Sequence, residues 1–478
     1  MLKAVDRIHK WRLWLIFFLS AQILTACVPG GENLAAELPP EPENGVLIYA
    51  ALNPLSIDRS EFIEKFNTAH EDVQIEVRDY SDENGMQRLF TELALGQVPD
   101  IMEMHQLGEG KDTAWFQTPY QDRPAGEGWM PYRQMVQKGY LEDLWPYIEN
   151  DPELGLDGVL MPPLKAAEVN GGLYMLFSDV SVTTMISPER VVGTRSGWTF
   201  DEMLETFSTM PEGSTIMRYN ATREDIFSML CAPLLDQYMD WETGQNSFDS
   251  QGFRDMMEFL SAFPAEFKTF LSQKELETEI VERILTGHQL LEAVTTAALW
   301  YLPGIDTFFG ERATYVGYPT ADGSLGSYFN LHGSKLAMSS TCRNKDAAWD
   351  FIRQAVAKKY GSTEMRDLHT YGEKIKTPIV RKNYEMANRL DMKDTLRAES
   401  LCGGPLKTSY FKWERCNTDH LQRYEALINS TTQIYWPNSE LSAIVWETAG
   451  PYFIGDKTLD ETVALIQNRV QLYVNENR

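Results

Sequence analysis

From Gly45 onward the chain alternates short apolar runs with amphipathic stretches. Gly45-Val46-Leu47-Ile48-Tyr49-Ala50 is an apolar run of the length of a buried strand, closed by Asn53-Pro54. Ser60 is placed to cap a helix that carries Phe62, Ile63 and Phe66 on one face. Val73, Ile75 and Val77 then alternate with polar residues, the period of a half-buried strand. A second helix presents Leu89, Phe90 and Leu93, stops at Gly96, and leads through Pro99 into a third short strand at Asp100-Ile101-Met102. Strand and helix repeated in this way predict an α/β fold built on a parallel sheet with helices on its faces. Further along, Asn344 is placed to cap a helix striped by Ala348, Phe351, Ile352 and Ala355. Thr458 and Glu461 have capping-box spacing ahead of Leu459, Val463, Ile466, Val470 and Tyr473. These last two are packing helices to which no chemistry is assigned.

The N-terminal residues follow a different pattern. Lys3, Arg7, Lys10 and Arg12 precede the apolar run Leu13 to Leu24, which has the length of an export signal and is short for a membrane span. Leu24-Thr25-Ala26-Cys27 resembles the bacterial lipobox, in which the cysteine is lipidated and becomes the mature N-terminus. Two acyl chains on Cys27 would suffice for stable anchoring, where one chain binds only marginally. The other reading is a secretory signal with an incidental cysteine near the cut. Residues 27–44 are rich in Pro, Gly and Glu with nothing to bury, and read as a flexible tether. After the tether no apolar run is long enough to span a membrane as a helix, so the body is expected outside the cytoplasmic membrane, held there by the lipid.

Composition narrows the function classes. At 478 residues with 43% hydrophobic content the chain exceeds one compact domain and suits two lobes. The net charge is −26, and the signal's four bases against Asp6 make the mature chain −29. This disfavours nucleic acid and anionic lipid headgroups as partners, and is equally what solubility requires. Beyond Cys27 there are Cys231, Cys342, Cys402 and Cys416. Only Cys402 and Cys416 are close in sequence, and either a bond between them or free thiols suits an extracellular address.

Reactive motifs are missing. The chain has no G-x-S-x-G, H-E-x-x-H, C-x-x-C or P-loop, so energy from ATP has to come from another chain. Tyr80 to Thr91 approaches a calcium loop at Asp82, Asn84 and Gly85 but lacks its first and last acidic ligands, and the seven histidines show no metal-ligand spacing. No cofactor or metal is expected. Accidental carboxylate pairs are numerous among 69 acidic residues and carry no assignment. Twelve tryptophans and 21 tyrosines are the remaining chemical signal. Sugar sites pair flat aromatic rings with Asp, Glu, Asn, Gln or Arg, although core packing accounts for most tryptophans.

FIEKFNTAHEDVQIEV followed by LFTELALGQVPDIMEM resembles the opening of the extracellular solute-binding proteins that serve carbohydrate ABC transporters, the group that includes maltose-binding protein. YLEDLWPYIENDPEL, AAEVNGGLYML, GWTFDEML, VGYPTADGS, LAMSSTCRNKDAAWDFI and AGPYFIGDKTLDETVALIQNRVQLYVNE continue the resemblance in family order to the C-terminus. LFSDVSVTTMI, residues 176 to 186, departs from it, as does the stretch from Glu399 to Trp436. The resemblance implies a two-lobe periplasmic-binding-protein type II fold with a hinge and an interlobe cleft. Residues 45–180 and 316–356 would form the first lobe, and 181–315 and 357–478 the second, with crossings near Phe177 to Thr184 and Tyr315 to Thr320.

It also implies capture of a carbohydrate, most simply an oligosaccharide, and delivery to permease subunits with a separate ATPase, without covalent chemistry. Trp300, which closes TGHQLLEAVTTAALWYLPG, resembles a family tryptophan facing the cleft, with Tyr301 beside it. Asn220 and Arg223 follow STIMRYN, where family counterparts contact sugar. Glu103, His105, Gln106 and Asn53 follow strand ends, where open α/β sheets present ligand loops. Trp436 in QIYWPNSE is a further aromatic candidate. The alternatives are a surface glycan-degrading enzyme and a binder of a non-sugar solute on the same fold, because fold does not fix ligand.

Overall fold

A computed structural model describes residues 45–52, 57–82, 84–104, 132–152, 154, 156, 159–217, 221–266, 283, 286–296, 302, 305–306, 309–357, 368–369, 417–436 and 438–477. Its strands are β1 (Val46–Ala51), β2 (Gln74–Asp79), β3 (Ile101–Glu103), β4 (Leu176–Pro188), β5 (Met239–Asp240), β6 (Gln245–Asn246), β7 (Glu292–Thr296), β8 (Ala313–Tyr315), β9 (Tyr328–Met338), β10 (Leu368–His369) and β11 (Gln433–Ile434). Its α-helices are α1 (Ile57–Ala69), α2 (Gly85–Ala94), α3 (Tyr132–Gln137), α4 (Trp145–Asn150), α5 (Met161–Ala166), α6 (Glu189–Val192), α7 (Phe200–Ser208), α8 (Arg223–Ile226), α9 (Gln251–Ser261), α10 (Lys345–Ala357), α11 (Thr418–Ser430), α12 (Ser439–Phe453) and α13 (Leu459–Asn477).

The first three strands form as their patterns predict, with β1 parallel to both β2 and β3. Helix α2 ends at Gly96, which takes the left-handed conformation (φ 79°) that a glycine tolerates at a helix C-terminus. Helix α1 starts at Ile57, so Ser60 lies inside it and does not cap it. Asn344 does cap α10 through the Ala347 amide. Thr458 and Glu461 exchange the capping-box bonds ahead of α13.

The expectation of a parallel sheet holds only for this N-terminal part. Beyond β3 the sheet is antiparallel: β3 pairs with β9, β9 with β4, and β4 with β7, β8 and β10; only β11 returns parallel to β9. The cause is β4, a 13-residue strand flanked on both edges by strands running against it. Val182 pairs with Phe329 of β9 on one side and Thr296 of β7 on the other, and Ile186 pairs with Tyr315 of β8 and Glu292 of β7.

Two apolar cores flank these strands. The first gathers Leu47, Phe62, Ile101, Leu164, Phe177 and Phe351; the second gathers Trp198, Phe227, Phe253, Met257, Val463 and Val470. The chain changes core within β4 (Val182 in the first, Met185 in the second), at Tyr315 and Val316, and at Tyr328 and Phe329. Leu302, Ile305, Phe309, Ala313 and Tyr315 pack with the first core, as do Leu421, Tyr424, Leu427 and Ile428 of α11, whereas the sequence reading grouped both stretches with the second lobe. A charged cluster fixes them there. Asp306 accepts from Arg423 on both oxygens, from the Ala313 amide at 3.0 Å, and lies 3.1 Å from His420 Nε2. Arg423 and Arg312 both reach Asp419.

Burial raises the pKa of Asp306, but the bonds from His420 and Arg423 outweigh it and hold the carboxyl below its ordinary value. A depressed carboxyl stabilises the fold above its unfolded pKa, about 4, and that contribution is lost as pH falls through the folded value. Asp306→Asn is therefore expected to lower stability at pH 7 by about 2 kcal/mol. In urea unfolding the gap to wild type should shrink as pH falls below 4; a gap that stays constant down to pH 2 contradicts this.

Candidate functional site

The crossing strands carry opposite chemistry on their two faces. Val180, Val182 and Ile186 of β4 enter the first core, while Asp179, Ser181 and Thr183 alternate with them on the other face. Across the antiparallel ladder these stand opposite His332, Asn330 and Tyr328 of β9. The polar side chains join: His332 Nε2 lies 2.8 Å from Ser181 Oγ, and Asn330 Nδ2 donates to Thr183 Oγ1 at 2.8 Å and to Ser181 Oγ at 3.4 Å. Thr295 Oγ1 of β7 extends the row at 2.6 Å from Thr183 Oγ1. Ser181 and Thr183 are buried, whereas Asp179, Asn330 and His332 are partly exposed.

A bulge closes one end of this seam. Between Asp179 and Phe177 the register slips, so that Gly333 and Ser334 of β9 oppose Ser178 alone. Gly333 adopts φ 65°, and a Cβ there would meet Ser178 Oγ at 2.1 Å and Asp179 Oδ2 at 2.7 Å, so no other residue fits without displacing both. Ser178 Oγ accepts from the Ser334 amide at 3.0 Å and donates to Asp179 Oδ2 at 2.7 Å, which fixes the carboxylate at the edge of the seam.

The same bulge ties the seam to the ends of β1 and β3. Arg59 of α1 donates to Ser334 Oγ at 2.7 Å and to Glu103 Oε1 at 3.2 Å, and also bonds the Tyr49 hydroxyl. Tyr49 in turn donates to Glu103 Oε1 at 2.6 Å, and the Leu52 amide donates to Oε2 at 2.9 Å. Burial drives the Tyr49 pKa well up; Arg59 opposes the rise and Glu103 adds to it, so the phenol keeps its proton.

Aromatic rings stand at the other end. Tyr328 stacks on Tyr435, which follows β11, with centroids 4.9 Å apart and planes at 28°, and Tyr318 packs on Tyr328 at 5.6 Å. Tyr435 is half exposed. The seam thus joins hydroxyl, amide, imidazole and carboxylate groups to a flat ring, where the chain passes between two cores.

The sequence profile of the bacterial extracellular solute-binding proteins matches residues 61–366. The chain belongs to this family. Among solved structures, the sugar-binding protein MalE from Xanthomonas citri is similar at 14% identity and a TM-score of 0.47, over 90% of this chain and 98% of that one. The galacto-N-biose-/lacto-N-biose I-binding protein of the ABC transporter from Bifidobacterium longum, in complex with lacto-N-biose, is similar at 15% identity and a TM-score of 0.43, over 91% and 98%. A comparison with curated proteins gave no match. The family's members are binding proteins with an extracellular address. Among the described residues no helix is long and apolar enough to cross a membrane, and no group of three His, Cys, Asp or Glu is placed to hold a metal ion.

Three of the predicted site residues of this solute-binding protein lie among those described. Glu103 sits at the end of β3 as expected, but its carboxylate is engaged by Tyr49, Leu52 and Arg59. Arg223 starts α8 and donates to the carbonyls of Leu260, Ser261 and Phe263 at the end of α9, with its guanidinium 4.5 Å from the Phe453 ring centre. It closes a helix terminus. Trp436 stacks on Tyr132 at 5.4 Å, so it packs on α3 while its neighbour Tyr435 meets the seam. Asn53, His105, Gln106, Asn220, Trp300 and Tyr301 lie outside the described residues, as do Cys27, Cys402 and Cys416. The seam residues Asp179, Ser181, Thr183, Asn330, His332 and Tyr435 were not among the candidates that the sequence offered. The pattern that carries the first three is the alternation of Asp179-Val180-Ser181-Val182-Thr183.

If Glu103 serves the fold, Glu103→Ala should destabilise by about 3 kcal/mol, because it strands Arg59 beside a buried phenol. Urea unfolding reads this. A variant as stable as wild type that has lost solute binding would make Glu103 a ligand residue instead.

Proposed function

We propose that this solute-binding protein captures a carbohydrate, most simply an oligosaccharide, in a cleft floored by the seam, and delivers it to an ABC importer from a lipid anchor at Cys27. The observation that carries the sugar reading is the polar row of Asp179, His332 and Asn330 along β4 and β9, with the stacked Tyr328 and Tyr435 at its far end. A sugar offers a ring of hydroxyls that both donate and accept, and an apolar C–H face that lies flat on an aromatic ring. Amide, imidazole and carboxylate groups match the rim, and the tyrosine matches the face. Trp300, Tyr301, His105, Gln106, Asn53 and Asn220 are proposed to complete the contact from the loops.

Capture needs no covalent step. A ligand bound to both lobes favours their closed arrangement by its difference in affinity for the two, and several β-strand crossings form a hinge that permits the motion. The permease can then read loading from shape. The lipobox Leu24-Thr25-Ala26-Cys27 supports the anchor, and the Pro-, Gly- and Glu-rich residues 27–44 give the body reach.

A thermal-shift screen of the tether-free body against oligosaccharides tests the ligand class, since a ligand specific for the folded state raises its Tm. At least one neutral oligosaccharide should raise Tm in proportion to the logarithm of its concentration. Asn330→Ala should weaken that ligand roughly 10- to 100-fold through the loss of one or two hydrogen bonds. No shift with any sugar, alongside a clear shift with peptides or amino acids, would assign another solute class.

The anchor is tested by mass spectrometry of the mature protein from its native membrane. The N-terminal peptide is expected to start at Cys27 and carry a diacylglyceryl mass that Cys27→Ala abolishes; an unmodified N-terminus rules the anchor out.

A further inference from the structure

Besides the paired crossing strands, a charged and aromatic contact joins the two cores. Arg133 lies on α3, whose Tyr132 and Met135 are buried in the first core. Its Nη1 donates to Asp236 Oδ2 at 2.9 Å. Asp236 belongs to the 3-10 helix Ala232–Tyr238, whose Leu234, Leu235 and Tyr238 are buried in the second core. The same guanidinium lies 5.4 Å from the ring centre of Trp241, which packs on the second core and meets Tyr473 of α13 edge-on. One side chain of the first lobe is thus bound by a carboxylate and an aromatic face of the second. Behind it Tyr132 stacks on Trp436, so α3 is also pinned at the point where the chain leaves β11 for the second core.

Contacts made along a hinge strand persist when the lobes rotate, because the strand bends and its ladder stays paired. A side-chain contact between helices that belong to different cores has no ladder to hold it, so any rotation that separates the two helices breaks it. The geometry points to Arg133, Asp236 and Trp241 as a clasp that opens when the lobes part and holds them together when they meet. A half-buried ion pair combined with a stacked guanidinium biases the closed arrangement by about tenfold over the open one. Both components are screened by salt, more for the ion pair than for the stack. The clasp therefore supplies part of the closing free energy from the protein itself, whatever solute binds, and the permease-competent shape becomes sensitive to ionic strength.

The test needs no ligand, so its outcome is separate from that of the sugar assignment. Small-angle scattering is measured on the tether-free body of wild type, Arg133→Met and Asp236→Asn at low salt and in 1 M NaCl, with thermal unfolding as the check that each variant is folded. Wild type is expected to have the smaller radius of gyration at low salt and to expand toward the variants' value in high salt, while both variants stay expanded and insensitive to salt. Should Arg133→Met fail to fold, Asp236→Asn keeps the side chain's volume and carries the test. A folded variant with the wild-type radius of gyration at low salt, or a wild type that does not respond to salt, overturns the clasp.

Discussion

A strand that passes between two cores must satisfy both. In this protein β4 does so, and the antiparallel pair it makes with β9 is the constraint on which the rest depends. One face of the pair carries Val180, Val182, Phe329 and Leu331 into the first core; the other carries Asp179, Ser181, Thr183, Asn330 and His332. Period-two alternation makes both faces possible in a single stretch of chain. A one-residue slip of register would exchange them, burying the polar row and exposing the valines. The bulge at Gly333 is part of what prevents the slip, because the extra residue fits at that position alone, with Ser178 hydrogen-bonded to both Ser334 and Asp179.

From this pair the remaining features follow. Arg59 reaches the bulge from α1 and binds Glu103 at the end of β3, so it links the parallel part of the sheet to β9. The Asp306, Asp419, Arg312 and Arg423 cluster secures α11 against β8 on the first-core side. Asp306 and Arg423, the largely buried members, leave a charge unpaired if either is removed, which makes each costly to remove singly.

Much of the fold was legible from local pattern. The strands β1 to β3, the C-terminus of α2 at Gly96 and the caps of α10 and α13 lie where period and capping residues put them. Strand direction beyond β3 was not, because an apolar run specifies burial but not the sense of its neighbours. The site was legible in part. The alternation at Asp179, Ser181 and Thr183 was present in the sequence, yet only the ladder shows that Asn330 and His332, about 150 residues away, complete it. Trp436 and Tyr435 are neighbours that pack on different cores, because successive residues of extended backbone point to opposite sides. Arg223 follows a polar step that suggested a ligand contact, and only the three-dimensional arrangement brings the end of α9 within its reach. Glu103 was placed at the right strand end, but its partners Tyr49 and Arg59 are set by packing between β1, α1 and β3.

A crystal structure of the protein with the ligand found by thermal shift measures whether solute binds against the polar face of β4 and β9. Electron density for the ligand is expected over that face, with hydrogen bonds to Asn330 and to His332 or Asp179, and a sugar ring flat on Tyr435. Density elsewhere, with the seam's own hydrogen bonds unchanged and solvent filling the space above it, would place the solute site away from these strands.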